Sequence, residues 1–212
     1  MARIGTNVTV EVESTKDTPL TVTALTLANP GQVTSAGHGL ANGAVVVFDV
    51  SAGMVELDGQ AVRVANQATD TFELEGLDTT DYSTWTAGTA SEVNAWHTVS
   101  NSQSVSMPNP TPEKIDITTL IDKVKQNAYG LPEAPDGSIT ALYDPELAAT
   151  QEIRTATKAN EARAFRVTWS GGQITIFNAL VSGGTGFELS QNQAATATIN
   201  FTPVKDVMEY AS

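Results

Sequence analysis

The chain has two histidines, His38 and His97, and no cysteine in its 212 residues. Thiolate nucleophiles, disulfide staples and cysteine-based zinc sites are therefore excluded. Neither histidine stands in a His-x-x-x-His or comparable metal spacing. His38 sits in the turn Gly37-His38-Gly39, where a conformational role or an exposed position is favoured over catalysis. His97 follows Trp96 in a strand-like stretch, and a structural role is favoured there too. Ser182-Gly183-Gly184-Thr185-Gly186 is glycine-rich, but it lacks the Lys-Ser/Thr of a phosphate loop and no helix follows it. No Gly-x-Ser-x-Gly elbow is present. Asp136, Asp144 and Glu146 are near enough in sequence to pair as a general acid and base. A helix start explains the last two and an Asp136-Gly137 turn explains the first. The residues point away from an enzyme, with no catalytic group, cofactor or metal expected.

The elements carrying these residues are mostly strands. Asp144-Pro145-Glu146 reads as a helix start, with Asp144 as cap, Pro145 in the first turn and Glu146 at the positive end of the dipole. The helix is expected to reach about Asn160, with Ala149, Ile153 and Ala156 on its buried face. A hairpin follows from Ala164 to Val181. Phe165, Val167 and Trp169 alternate on one leg, Ile174 and Ile176 on the other, and Ser170-Gly171-Gly172 makes the turn. A last strand, Ala194 to Thr202, points Ala195, Ala197, Ile199 and Phe201 one way and Thr196, Thr198, Asn200 and Thr202 the other. One apolar face and one hydroxyl-rich face predict a sheet packed on one side only, with the helix as its cover.

Earlier in the chain, Asn7 to Glu13 alternates Val8, Val10 and Val12 with Thr9, Glu11 and Glu13, a half-buried strand with an acidic outer face. From Leu20 to about Trp85 the texture changes to short strands between turns such as Asn42-Gly43 and Asp58-Gly59. Ala44 to Val50, Gln60 to Val64 and Thr71 to Leu74 read as strands of a small all-β module. Thr79 to Val93 reads as its exit linker, and Trp96 to Met107 as a strand of poor phase. Pro108 to Pro135 is a long proline-punctuated loop, a length usually functional or ordered by a partner. Its Ile115, Ile117, Leu120 and Ile121 need burial somewhere. Asp116, Asp122, Lys123 and Lys125 are either solvated or bridged to a neighbour, and the two readings stand level.

The charge balance is 11 Lys+Arg against 24 Asp+Glu, a net −13. General binding to DNA or to an anionic membrane is disfavoured, whereas a passive role beside DNA is not. Met1 to Asn7 contains no apolar run, so it is not expected to be a signal peptide, and no stretch approaches the roughly 20 apolar residues of a membrane span.

Two stretches resemble known proteins. The order strand, long loop with Ile115-Asp116-Ile117-Thr118-Thr119-Leu120, then Tyr129-Gly130-Leu131-Pro132, Asp136-Gly137, strand, helix and hairpin is similar to the tail tube (major tail) proteins of long-tailed bacteriophages. In that family a Asp-Val-Thr-Thr-like segment leads to a glycine-leucine turn, and Asp116-Ile117-Thr118-Thr119 matches it with Ile for Val. The likeness covers Gly5 to Glu13 and about Ala95 to Thr202. The stretch from Ala24 to Leu74, with Gly37-His38-Gly39-Leu40 and Asp70-Thr71-Phe72-Glu73-Leu74, resembles a small β module of phage virion proteins that is named after a domain of ubiquitin-activating enzymes. No ubiquitin chemistry follows, because the catalytic cysteine has no counterpart.

The resemblance implies a mainly β fold, a tail-tube-type β-sandwich or barrel with one flanking helix. Residues 1–19 and 94–212 would form a discontinuous tube domain, and 20–93 an inserted all-β domain projecting outward. It implies a virion structural protein, not an enzyme, assembled in the host cytoplasm into homohexameric rings stacked as a non-contractile tail tube. Its partners would be itself and the tail terminator, tail tip and tape-measure proteins. Genomic DNA would pass through an acidic, polar channel without specific binding, and no membrane or cofactor is involved. Thr9, Glu11, Glu13, Thr196, Thr198 and Asn200 are the lumen-facing candidates, although the residues alone leave outward-facing solvent equally open. Ile115, Asp116, Ile117, Leu120, Ile121, Asp122, Lys123, Lys125 and Tyr129 are the inter-subunit or inter-ring loop. Two rivals are a carbohydrate- or surface-binding module stacking sugars on Trp85 or Tyr82, and the tube of a contractile injection system.

Overall fold

The structure is a computed structural model that describes residues 7–121, 123–132, 135–184 and 186–211. In chain order its strands begin with β1 (Thr9–Lys16), β2 (Leu20–Thr21), β3 (Ala24–Leu25) and β4 (Gln32–Thr34). They continue with β5 (Val45–Ala52), β6 (Ala61–Ala65), β7 (Thr71–Leu74), β8 (Ala87–Thr98) and β9 (Ser102–Ser106). A hairpin of β10 (Pro112–Asp116) and β11 (Asn127–Pro132) precedes β12 (Gly137–Leu142) and the helix α1 (Ala148–Ala159). The chain closes with β13 (Ala162–Thr168), β14 (Ile174–Gly183), β15 (Thr196–Pro203) and β16 (Met208–Tyr210). Among the described residues, β10 and β11 pair only with each other, and the other strands form one antiparallel sheet in the order β3-β4-β7-β6-β5-β8-β1-β13-β14-β15-β12-β9. Outside that path, β2 pairs with β8 and β16 with β14. The fold is mainly β with a single helix.

The main core lies where the sequence periodicity puts it. Val10 and Val12 of β1 meet Val167 and Phe165 of β13 in register, and Phe165 meets Phe177 of β14. Phe165, Phe177 and Phe201 stack with ring centroids 5.1 to 5.8 Å apart. Ala149, Ile153 and Ala156 of α1 pack onto this cluster. Gly137 is required beneath Phe201, because a Cβ there would overlap the ring. The hairpin turn is also as expected: Gly172 takes φ 81° and Trp169 N–H donates to the Gln173 carbonyl at 2.9 Å.

The helix begins later than Asp144 suggests. Asp144 Oδ1 accepts from Glu146 N–H at 2.9 Å, which closes a local turn, and the helical residues start at Ala148. An aspartate serves such a turn as readily as it serves an N-cap. The other end is as expected, with Asn160 in the left-handed conformation at φ 54°.

A second core fills the module of β3 to β7. Phe48, Phe72, Leu74, Met54 and Leu57 are buried there. The second half of the stretch expected as its exit linker is strand: β8 pairs with β5 through Ala87–Glu92 and with β1 through Val93–Thr98. This one strand crosses position 93 and joins both halves of the molecule. Polar runs such as Thr86-Ala87-Gly88-Thr89 carry little strand signal by themselves, and the two neighbouring ladders impose the strand here.

A third core corrects the expectation of a sheet covered on one side only. Val45, Val47 and Ala61 of the module pack against Ala164 and Ile176 of the hairpin, with Tyr210 closing the cluster. Ile176 lies opposite Arg166, so it points away from Phe177 and into this second layer. The near-continuous run Ile174-Thr-Ile-Phe-Asn-Ala-Leu-Val is that of a strand buried on both faces. The contact between module and sheet is also hydrogen-bonded. Asn178 Nδ2 donates to Gly59 O at 2.9 Å, Gln60 Nε2 to Asp206 O at 3.0 Å, and Arg63 N–H to the Tyr210 hydroxyl at 2.9 Å.

Burial pushes the Tyr210 phenol up to about 12. The folded state therefore holds this proton more tightly than the unfolded chain, whose tyrosines titrate near 10. The linked stability is fully present below about pH 10 and is lost as pH rises towards 12, an effect on the order of 2–3 kcal/mol. Denaturant unfolding between pH 9 and 12 is expected to show this decline, and Tyr210→Phe should flatten it. The same substitution costs about 1–3 kcal/mol at neutral pH, because it leaves Arg63 N–H without its acceptor. An unchanged slope in the variant would refute the assignment.

Candidate assembly surfaces

Several of the groups considered for chemistry have structural partners. His38 is buried. Its Nδ1 accepts from Leu40 N–H at 3.1 Å, Nε2 lies 3.3 Å from Thr71 O, and the ring meets Phe72 edge-on at 5.1 Å. An exposed position is thereby excluded and the conformational role stands. His97 Nε2 is 2.8 Å from Ser14 Oγ across the β1–β8 ladder. Thr185 lies outside the described residues. Gly184 packs on α1, where its carbonyl accepts from Arg154 Nε. Asp136 accepts from Thr202 Oγ1 at 2.5 Å. Among the described residues no group of acidic or imidazole side chains is arranged to hold a metal. Trp85 is buried, meets Phe48 edge-on and donates from Nε1 to Val22 O at 3.2 Å, so it offers no face for sugar stacking.

The six lumen candidates separate. Thr196, Thr198 and Asn200 of β15 lie on the face of the sheet away from the phenylalanine core. Register extends that face over three strands. Ser104, Thr140 and Thr198 form one cross-strand row, and Ser106, Ser138 and Asn200 form the next. These six side chains are uncharged, and all are exposed or half-buried. Thr9, Glu11 and Glu13 lie on β1, separated from β15 by the two strands β13 and β14. Thr9 is exposed, but Glu11 is paired with Arg166 at 2.7 Å. Glu13 is buried, which corrects its expected exposure. The β1–β13 ladder ends at Val12, and β1 bulges after Glu13. The Glu13 carboxylate then takes over the ladder's role by accepting from Ala164 N–H at 3.0 Å, and it lies 3.4 Å from Lys16 Nζ. Period-2 alternation cannot show that a second layer covers an acidic position.

The long loop is a two-stranded arm rather than an irregular segment. Asp116 fastens its far end: Oδ1 accepts from Thr118 N–H at 2.9 Å, and Oδ2 lies 3.2 Å from Lys125 Nζ. Thr118 Oγ1 in turn accepts from Gln126 N–H at 3.0 Å. The Thr118 hydroxyl and N–H, with Lys125, hold the Asp116 carboxyl below the ordinary carboxylate range. Thus Asp and the first Thr of the Asp116-Ile117-Thr118-Thr119 segment serve to close a turn. Asp122 lies outside the described residues. Beyond the clasp, Leu120 and Ile121 are fully exposed, and Ile115, Ile117, Val124, Tyr129 and Leu131 are exposed as well. Monomeric proteins rarely leave so many large apolar side chains together in water.

At the root of the arm lies a cleft of about 1060 Å³, lined by Val8, Met107, Val167, Trp169 and Phe177 among others. Asp206 and Glu209 also line it, as do Pro108, Asn109 and Pro110 before the arm and Pro135 after it.

A family model described as phage tail tube protein matches residues 52–212. The chain belongs to that family. No curated protein matches it. The family match of this tail tube protein begins inside the module, at the last residue of β5, and takes in β6, β7 and the whole of β8. Membership makes the tail tube protein a structural virion component that self-assembles into a tube. The exposed arm, the uncharged β9-β12-β15 face and the cleft are the surfaces available to that assembly.

Proposed function

We propose that the chain forms homohexameric rings that stack into the tube of a non-contractile phage tail and so make the channel through which the genome reaches the host. The observation carrying this reading is the arm. Its tip presents Leu120, Ile121 and Val124 to solvent between the two strands of the hairpin, a surface that needs a protein partner. Ring closure by edge strands fits the sheet, which ends on the exposed strand β9. The arm, from Ile115 through Tyr129, is the contact between subunits or rings. The tail terminator, tail tip and tape-measure proteins would meet the tube's ends and interior, and assembly would take place in the host cytoplasm.

The module of residues 20–93 rides on the outside of the tube, resembling the β module named after ubiquitin-activating enzymes. It covers the β13–β14 part of the sheet through the third core, and the β9-β12-β15 part, which stays bare, is our choice for the lumen. The channel wall is then lined by Thr196, Thr198 and Asn200 with Ser138 and Thr140. Its repulsion of phosphate rests less on carboxylates than the net charge suggests. The module holds nine acidic residues against the single Arg63, which is −8 of the chain's −13. A wall of hydroxyls with no lysine or arginine offers DNA nothing to bind.

Negative-stain electron microscopy of the purified protein over a range of concentrations tests the reading. Hollow tubes or six-fold rings with outer projections are the expected result. Closed dimers, or rings of another order, would refute the hexameric tube.

A further inference from the structure

The strands β6-β5-β8-β1-β13-β14 are successive neighbours in the sheet, yet Val45, Val47 and Ala61 of β5 and β6 pack on Ala164 and Ile176 of β13 and β14. The sheet therefore turns back on itself like a closed book. The ladder between β8 and β1 is the spine, β5 and β6 are one page, and β13 and β14 are the other. We propose that the module opens as a page about this spine, and that residues 204–210 are the strap that holds it shut. The hinge is a property of the single chain and does not depend on how copies assemble.

The two chain crossings between module and body lie side by side at the spine. Lys16 pairs with Val93, Asp17 N–H donates to Glu92 O at 2.8 Å, and Asn94 Nδ2 donates to Asp17 Oδ1 at 2.9 Å. The register of β1 shifts twice between Glu13 and Lys16. Such bulges bend a strand and interrupt its ladder, which is what a hinge requires. The strap grips the opposite edge. It is fixed to the body where β16 pairs with β14 through Ile174–Ile176. It is fixed to the module by Gln60 Nε2 on Asp206 O, by Arg63 N–H on the Tyr210 hydroxyl, and by Lys205 Nζ on Val55 O at 3.1 Å. Its anchors β6 and β14 each stand two strands from the spine, β6 from β8 and β14 from β1. Between the pages the packing is thin. Among the described residues, seven buried residues make the third core, against fifteen in each of the other two. Asn178 Oδ1 is buried at the seam without a hydrogen-bond partner, although Nδ2 of the same side chain reaches Gly59 O. An unpaired buried acceptor favours the opened state, in which water reaches it. A separate cleft of about 370 Å³ lies between Asp49, Asp58 and Thr89 of the module and Glu161 and Ala162 of the body. Fewer apolar contacts and an unpaired polar atom give the seam a lower opening free energy than either main core. Opening about the spine leaves both of those cores intact.

The absence of cysteine makes thiol labelling direct. Ala164 in the third core, Ala90 in the module core and Ala179 in the main core are all fully buried. Full-length Ala164→Cys, Ala90→Cys and Ala179→Cys variants are treated with iodoacetamide under native conditions, and the alkylated fraction is followed by mass spectrometry. Position 164 is expected to label about tenfold faster or more than the other two. Ala61→Cys, on the facing page of the same core, is a second reporter and should follow Ala164→Cys. A lock completes the test. A Cβ at Gly59 would stand 3.7 Å from the Val204 Cβ, within disulfide range. Adding Gly59→Cys/Val204→Cys and oxidising before labelling should slow position 164 to the rate of the other two. The same chain reduced should label fast again, which controls for the strain of a side chain at Gly59 with its φ of 75°. Equal slow labelling at all three cores would overturn the proposal, because the pages would then part only on global unfolding. Fast labelling at position 90 would also overturn it, since the module would be unfolding rather than lifting. So would a lock that fails to oxidise, or one that leaves position 164 as fast as before.

Discussion

The double variant Leu120→Asp/Ile121→Asp is expected to fold as the parent does and to form no tubes. Both side chains are fully exposed and touch no core, and surface changes of this kind alter stability by at most about 0.5 kcal/mol. Its unfolding midpoint should therefore match the parent's. Assembly is a different matter. Burying a leucine and an isoleucine contributes about 1.5–3 kcal/mol each, and carboxylates in their place would have to be desolvated. A loss of about 3 kcal/mol per contact already weakens that contact over 100-fold. A ring holds several such contacts at once, so the effect multiplies. Sedimentation velocity and electron microscopy read the assembly, and thermal unfolding reads the fold. Tubes from the double variant at parental concentrations would show that the arm tip is not a contact. A lowered midpoint together with lost tubes would show that the tip supports the fold instead.

Phe177→Ala is expected to lower the unfolding free energy by about 3–5 kcal/mol. Phe177 is almost wholly buried and stacks against both Phe165 and Phe201. Removing the central ring of three costs its own burial and the contacts of both neighbours, and sheet ladders on either side hinder collapse into the space. Since native domains are stable by only about 5–15 kcal/mol, much of the stability would go. Phe187→Ala is the matched control: its ring is exposed and meets Tyr143 at 4.9 Å. Denaturant titration separates the two, and equal midpoints would refute the central position of Phe177 in the core.

Much of the fold was legible because burial leaves a period. Val10 and Val12, Phe165 and Val167, and Ile199 and Phe201 alternate with polar residues, and each proved to face one core. Ala149, Ile153 and Ala156 showed the covering face of α1 by helical spacing. Gly171-Gly172 showed the hairpin turn because the left-handed conformation at Gly172 has few other occupants. What escaped lacks a local signature. Glu13 looks like any outward acid, yet a bulge and a covering layer bury it against Ala164. Asp144 looks like a helix cap and closes a turn three residues earlier. The β8 strand looks like a linker, because the partners that make it a strand are more than thirty residues away in sequence.

The arm shows the same division. Its apolar residues and its Asp116-Ile117-Thr118-Thr119 segment already marked an unpartnered stretch and a relationship to tail tubes. Composition and periodicity report what each residue needs, water or burial, extension or helix. By themselves they determined the β class, the main core and the single helix, while the order of the motifs carried the resemblance to the family. Only the tertiary structure decided which face stays bare, where Glu13 goes, how the module closes over β14, and that the arm is a clasped hairpin beside an open cleft. Those outcomes depend on pairings between segments far apart in the chain, and no local pattern of residues encodes a long-range contact.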